Sequence, residues 1–489
     1  MIPLPDEIYL YILESLPDLA TFTHKKDFED YRQISATLAS ACQVNRAFRA
    51  FAEPLLYRAY IEDKEDNSRR RSSEAGECTR LQLYLRTLIH RPDLATKVEY
   101  LRLADCIDYP DIKPYAVLFA EAIRNLCTSP HNKSGSQRNL EWQSDWKDGL
   151  RGHRVHQDAE VALLLALLPN IGNLDIYASR RNYGRFVGLL CKSIEDPESW
   201  IKETQTEDDK QVLVFKAPKV SSALKLPFFP RLSMLTLEGA KHWTIGFLRD
   251  IASLPSLESL CLYGVHVPLI LEGVTPFRLP LQNIRNLTLK DCIILDIHMQ
   301  SIINSCGSLR SLRIKRSPKL DETSIGLNMD ALIKCLVSSS DTLEELQIYM
   351  PKPSPGYNGT TRAETFDLRS FTRLRTIEIN MEFLFPPTSD TEPSFIALLP
   401  ALIDDLYLRM ADKRFAKHLR VLAEEFKDFP KLKTVDIGID DMPSIHAMDQ
   451  AEVDWKLALN DCATKLRNGG IECSVPVEGT HFNLSCGND

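Results

Sequence analysis

The sequence predicts an α/β fold: an N-terminal helical segment followed by an irregular solenoid of short parallel strands with helices outside. Three observations predict it. An apolar-x-x-apolar-x-apolar triplet recurs ten times between residues 98 and 437. Helical segments with one apolar face lie between the triplets. The first 60 residues carry helical apolar spacing of their own and are followed by a charged stretch.

The first element is LPDEIYLYILESL at 4–16. Pro5 suits a first helical position, and Asp6 and Glu7 suit the positive end of a helix dipole. Ile8, Tyr11, Ile12 and Leu16 form one stripe, yet Tyr9, Leu10 and Leu13 fall outside it. That is more apolar surface than one buried stripe requires. After the polar stretch THKKDFEDYRQIS at 23–35, TLASACQVNRAFRAFAEPLLYR at 37–58 makes a second broad apolar face, which Pro54 ends or bends. Residues 62–77, EDKEDNSRRRSSEAGE, read as a linker or loop.

The array begins at about residue 80. Its triplets are Val98-Leu101-Leu103, Ile171-Leu174-Ile176, Leu232-Leu235-Leu237, Leu257-Leu260-Leu262 and Ile284-Leu287-Leu289. Leu309-Leu312-Ile314, Leu343-Leu346-Ile348, Leu374-Ile377-Ile379, Ile403-Leu406-Leu408 and Leu432-Val435-Ile437 follow. From Leu232 the starts are 25, 27, 25, 34, 31, 29 and 29 residues apart, at or slightly above the range of leucine-rich repeats. A Pro lead-in recurs in LPNI, FPRL, LPSL and FPKL. Pro stops the preceding helix and holds the residue before it extended. GFLRDIASL at 246–254, DALIKCLVSS at 330–339 and RFAKHLRVLAEEF at 414–426 supply the helices. A strand-plus-helix unit cannot bury its apolar side alone, so neighbours must stack. The predicted division is 1–60 helical, 61–79 linker or loop, and 80–489 array, with insertions at about 107–155 and 195–225. HNKSGSQRNLEWQSDWKDGLRGH at 131–153 and ESWIKETQTEDDKQ at 198–211 read as extended loops.

Composition narrows the function. The 489 residues are 44% apolar and 26% charged, with a net charge of −8. An acidic balance argues against a nucleic-acid surface. The 12 Cys show no C-x-x-C pair, which fits reduced thiols in the cytoplasm or nucleus. No signal peptide is visible, and AEVALLLALLP at 159–169 is too short to span a bilayer. No phosphate-cradling Gly motif or nucleophile elbow occurs. His153 and His156 have no acidic or Cys partner at ligand spacing. Cys106 and Cys292 share one repeat position, as buried small residues would. Residues 436–454 carry six acids and no Lys or Arg, a solvated loop or an attractor of basic partners. No enzyme activity, cofactor or metal is expected.

LPDEIYLYILESL together with ASACQVNRAFRAFAEPLLYR resembles an F-box, over about an eighth of the chain. About a dozen extra residues, roughly Thr23 to Ser35, separate the two halves. RLQLYLRTLIHRPDLATKVEYLRL at 80–103 resembles the segment that follows the box in proteins of filamentous fungi. The resemblance implies docking onto the Skp-type adaptor and, through it, a cullin. By motif position Leu4, Pro5, Ile8, Ile12, Val44 and Phe48 look like adaptor contacts. The excess apolar surface of the first helix is then an interface. A helix apolar all round can equally be buried inside one fold.

Two functions follow. One is the substrate-recognition subunit of a cullin-type (SCF) ubiquitin ligase, with a protein target held on the array and no nucleic acid or membrane partner. Target contacts would fall at variable triplet positions such as Glu258, Ser259, Arg285, Asn286, Arg310 and Glu345. The other is a repeat scaffold whose N-terminal helices cap the array.

Overall fold

The structure, a computed structural model, describes residues 28–62, 79–103, 115–128, 157–177, 229–239, 254–265, 281–292, 296–316, 329–349, 368–384, 398–411, 416–439 and 450–474. It also describes Ile8, Tyr11, Ile294 and short strands near 109, 154, 201–216 and 277. Two compact units emerge: Met1–Lys202 with Phe215–Leu257 and Leu484–Asp489, and Glu203–Val214 with Glu258–Asn483. The architecture is mixed α/β. Among the described residues, twelve parallel ladder strands run in sequence order, four in the first unit and eight in the second.

The first unit opens with α1 (Phe28–Val44) and α2 (Arg46–Leu56). Residues 28–35 of the polar stretch therefore lengthen a helix, while 23–27 lie outside the described residues. The single apolar face expected over 37–58 is split at Asn45. That residue is extended (φ −162°, ψ 178°), and its side-chain oxygen accepts the Phe48 N–H at 2.8 Å. An N-cap of this kind satisfies a helix donor that has no partner in its own turn. Pro54 lies in the last turn of α2, and the helix ends at Leu56.

Strands β1 (Ala59–Ile61), β2 (Tyr100–Leu103), β3 (Asn173–Tyr177) and β4 (Met234–Glu238) form the first ladder. β1 is its outer strand. The edge carbonyl of Ala59 accepts from the Tyr31 hydroxyl at 3.4 Å, and the edge N–H of Ile61 donates to it at 3.2 Å. One phenol on α1 thus takes the place of a missing neighbouring strand. Tyr31, Leu38, Ala52, Ala59, Ile61 and Tyr100 make the core beneath it. The helical segment is joined to the ladder through β1, and residues 63–78 lie outside the described residues.

α3 (Arg80–His90) starts with a capping box, in which Gln82 N–H donates to Thr79 Oγ1 at 3.0 Å and Thr79 N–H to Gln82 Oε1 at 3.2 Å. α4 (Pro92–Ala95) and α5 (Ala116–Thr128) follow. α6 (Gln157–Leu167) contains the longest apolar run, and Val161, Ala162, Leu163 and Leu164 are all fully buried in it. Among the described residues, no helix is long and apolar enough to cross a membrane.

The second ladder is β5 (Ser259–Tyr263), β6 (Asn286–Lys290), β7 (Ser311–Lys315), β8 (Glu345–Tyr349), β9 (Thr376–Asn380), β10 (Asp405–Ala411), β11 (Thr434–Ile439) and β12 (Glu472–Ser474). The middle residues of the triplets are register partners in one column: Leu260, Leu287, Leu312, Leu346, Ile377, Leu406 and Val435. The last residues, Leu262 to Ile437, make a second column, and both are buried. Burying one such aliphatic side chain is worth about 1.5–3 kcal/mol. A turn precedes the strands, as in Ile284 N–H to Leu281 C=O at 2.9 Å. The carbonyl of the first variable position then accepts two N–H groups from the next repeat along the middle of the ladder. Glu258 takes Arg285 and Asn286, Arg285 takes Arg310 and Ser311, and Arg310 takes Glu344 and Glu345.

Helices α7 (Asp296–Ser305), α8 (Met329–Leu336), α9 (Met381–Leu384), α10 (Ala416–Glu425) and α11 (Gln450–Asn468) lie between these strands. α8 and α10 match two of the expected helices, and most of the third, 246–253, lies outside the described residues. α11 takes up the end of the acidic run at 436–454. At the far edge the Arg467 guanidinium donates twice to the Cys473 carbonyl of β12, at 3.0 and 2.8 Å.

Both insertions carry secondary structure. Residues Tyr109–Pro110 pair antiparallel with Arg154–Val155, α5 lies between them, and 131–153 lies outside the described residues. The loop expected at 198–211 is corrected: Ile201–Glu207 and Lys210–Lys216 are strands. The short continuous apolar run in KQVLVFK, Val212 to Phe215, rich in β-branched and aromatic residues, carries that strand signal.

Candidate interaction surfaces

The helical segment and the ladder differ sharply in how completely they bury apolar groups. Ladder columns are closed to solvent. On α1 and α2 only Tyr31, Leu38 and Ala52 reach full burial, while Ile34, Ala41, Cys42, Phe48, Phe51, Leu55 and Leu56 stay half-covered around them. Ile8 and Tyr11, both helical, are 43% and 74% exposed, and Val44 is 64% exposed. Of the six expected adaptor contacts, Ile8 and Val44 are therefore open to solvent and Phe48 packs partly on the helical core. Leu4, Pro5 and Ile12 lie outside the described residues. Tyr11 belongs with the exposed pair, and its spacing three residues after Ile8 was the signal.

Charged groups brace α2 against α4. Glu53 accepts from Arg49 at 3.4 Å and from Arg91 at 3.1 Å, and Arg91 also reaches Asp93 at 2.7 Å. The Arg91 hydrogen bond holds the Asp93 carboxyl below its ordinary range. Tyr60 and Tyr84 stack with ring centroids 4.3 Å apart, and Tyr57 stacks on Tyr84 at 5.7 Å.

The second surface is the polar side of the β5–β12 ladder. Strand alternation sends the variable triplet positions to the side opposite the apolar columns. Register aligns them into rows. The row at the strand starts carries Glu345, Asp405 and Glu472 and no Lys or Arg. The row at the strand ends begins Tyr263, Lys290, Lys315, Tyr349, each the register partner of the next. Arg409 lies further along that end row, on β10. The ladder face is thus polar across its width, acidic at the start and basic at the end.

The six expected target contacts divide into two kinds. Glu258, Arg285 and Arg310 are exposed just before their strands, and their carbonyls hold the next repeat. Ser259, Asn286 and Glu345 fall in the first row. Asn286 Nδ2 donates to Ser259 Oγ at 2.9 Å. Glu345 is satisfied within the face: it accepts from Ser311 Oγ at 2.7 Å, Gln347 Nε2 at 2.6 Å, and Arg313 Nε and Nη2 at 3.1 and 3.0 Å. Glu345 holds the face together and is engaged on both oxygens. A second network crosses β9 to β12, where Arg409 donates to Glu378 at 2.9 Å and to Asp436 at 2.7 Å, and Ser474 donates to Asp436 at 2.5 Å. Sequence spacing did not single out Tyr263, Lys290, Lys315 or Tyr349. Their signal was available one position after the last triplet residue.

Burial pushes the Cys292 thiol up to about 12, and its Sγ donates to the Leu262 carbonyl at 3.1 Å, as a structural residue does. Among the described residues, no group of three or more His, Cys, Asp or Glu is placed to hold a metal ion.

No family model matches the chain, and no curated protein matches it. A Bacteroides fragilis protein of known crystal structure matches 69% of this chain and 82% of its own, at 12% identity and a TM-score of 0.30. A similarity that low carries no argument about function.

Proposed function

We propose that the chain is a substrate-recognition subunit of a cullin-type ubiquitin ligase, with its N-terminal helices docked on the Skp-type adaptor and a protein target held on the ladder. The single observation that carries this reading is the half-covered apolar set on α1 and α2, with Ile8, Tyr11 and Val44 exposed, beside ladder columns that are fully buried. A helix pair that completes its core elsewhere leaves such groups to a partner. The F-box resemblance supplies the partner's identity. The receptor does no bond chemistry. It raises the local concentration of target lysines near the ligase.

Adaptor capture by the full chain tests this, beside an Ile8→Asp/Val44→Asp double variant. Both side chains are exposed, so the variant keeps the native circular dichroism spectrum. Wild-type capture lost in the folded variant is the expected result. A folded wild-type chain that captures no adaptor removes the proposal.

One observation favours a second reading, a repeat scaffold with an N-terminal cap. Tyr31 on α1 closes the β1 edge, as a cap must. Capping occupies the Tyr31 side of α1 and leaves Val44 exposed, so the two roles use different surfaces of the same helices.

A further inference from the structure

We infer that Cys462 on α11 and Cys473 on β12 form a latent disulfide site, which a small-molecule disulfide oxidant closes to tie the last helix of the second unit to its last strand. The inference is independent of the ligase reading.

Three observations carry it. First, both side chains enter one interior. Cys473 is the register partner of Val435 and extends the buried middle column, while Glu472 and Ser474 beside it are exposed. Leu459, Cys462 and Leu466, three and four residues apart, lie on one buried face of α11, and α11 packs on β12. Both cysteines are buried free thiols. Second, the turn between them sets them level. Ile471 N–H donates to the Leu466 carbonyl and Gly470 N–H to the Arg467 carbonyl, each at 3.0 Å, with Gly470 at φ 84°. This helix ending brings Ile471 against Leu466. From there Cys462 is four residues back along the helix, about 6 Å, and Cys473 two residues on along the strand, about 6.6 Å. Third, the strand is tied beside the helix. Helical side chains lean toward the helix N-terminus, and the Arg467 guanidinium donates twice to the Cys473 carbonyl, at 3.0 and 2.8 Å. The electrostatics agree with this placement: burial and then the Cys473 charge push the Cys462 thiol up to about 12.

Cys473 is the attacking group. Burial raises its thiol to about 11, and the Arg467 charge pulls the other way. Its thiolate attacks one sulfur of glutathione disulfide, forming a mixed disulfide and releasing one glutathione. The Cys462 thiolate then attacks the Cys473 sulfur and releases the second. Two cysteine thiols are oxidised to one disulfide, the oxidant is reduced to two thiols, and the two cysteine protons pass to the leaving sulfurs. A bridge needs Cα atoms within about 6.8 Å. β12 has three residues and is laddered on one side only, so it can close on α11 without shifting a further strand. High thiol pKa values make the reaction follow local opening of that edge, so the pair answers to sustained oxidation and not to a brief pulse.

The test incubates the folded full chain with glutathione disulfide, blocks remaining thiols in denaturant, cleaves after Glu and reads the products by mass spectrometry. Fragments 453–472 and 473–478 carry one Cys each, Cys462 and Cys473. The expected product joins the two, two hydrogens lighter than their sum. Fragment 31–53 carries only Cys42, which is half-exposed, and its uptake of glutathione shows that the oxidant acts. Cys462→Ala, folded by circular dichroism, gives no joined product and leaves glutathione on Cys473. Closing so short a loop removes open states, so amide exchange at 472–474 slows about tenfold or more in the oxidised wild type. No joined product while Cys42 is modified overturns the inference, and so does a product that forms only in urea. Equal linkage of Cys473 to other cysteines, or unchanged exchange at 472–474, overturns it as well. The wild-type mapping decides even where the variant fails to fold.

Discussion

Removing the Tyr31 hydroxyl should open the outer edge of the first ladder without changing its packing. Tyr31→Phe keeps the ring, which is 4% exposed, and deletes only the oxygen. The Ile61 N–H then loses its 3.2 Å acceptor and the Ala59 C=O its 3.4 Å donor, in residues each 2% exposed. A buried group left unsatisfied costs about 1–3 kcal/mol. Both bonds are long, and removing a buried phenol oxygen returns part of its own desolvation, so the net loss is about 1–2 kcal/mol. At about 1.4 kcal/mol per decade, that is roughly a five- to thirtyfold faster exchange of the Ile61 amide when exchange proceeds by local opening. Hydrogen exchange read by mass spectrometry on the peptide spanning 59–62 measures it, and needs no two-state unfolding of a two-unit chain. Tyr11→Phe, at a side chain 74% exposed, is the control and should change nothing there. Unchanged Ile61 protection in Tyr31→Phe would refute the idea that the phenol stands in for a strand.

Two further outcomes concern the ladders. A Cβ at Gly469 would sit 2.4 Å from two ring carbons of Phe426, so Gly469→Ala should lower the melting temperature of the second unit, by about 1–3 kcal/mol of overpacking, with part regained in Gly469→Ala/Phe426→Leu; a thermal scan reads both. On β3, burial raises the Asp175 carboxyl, against the opposing Tyr100 hydroxyl bond at 2.6 Å. A raised carboxyl pKa means the folded state holds its proton more tightly than the unfolded chain. The contribution is therefore present below the unfolded carboxylate range and is lost as pH rises through the folded pKa. Urea midpoints measured at stepped pH should show this decline in the wild type, and Asp175→Asn should flatten it.

The buried half of the ladder was legible one residue at a time. A triplet such as Ile284-Leu287-Leu289 names its own strand, its own buried side and its own turn, because the two-residue period of a strand is local; all three residues are buried. The helix at 416–425 was legible for the same reason, with Leu419 and Leu422 fully buried. The break at Asn45 was a local signal too, a strong N-cap residue inside an apolar run whose spacing on both sides reads as one helix. The candidate contacts were less legible. Spacing placed Ser259, Asn286 and Glu345 on the polar side, yet Glu345 is consumed by Ser311, Arg313 and Gln347 from neighbouring positions.

By itself, then, the sequence determined which side chains leave water and how often the chain must turn, since both follow from hydrophobic period and turn chemistry within a few residues. Tertiary structure alone decided what meets across strands. Lys290 faces Lys315 because a 25-residue repeat brings their strands into one register, and Tyr31 meets β1 across 28 and 30 residues of chain. Register is set by stacking of whole repeats, and a polar group takes whichever unsatisfied partner that stacking puts within reach.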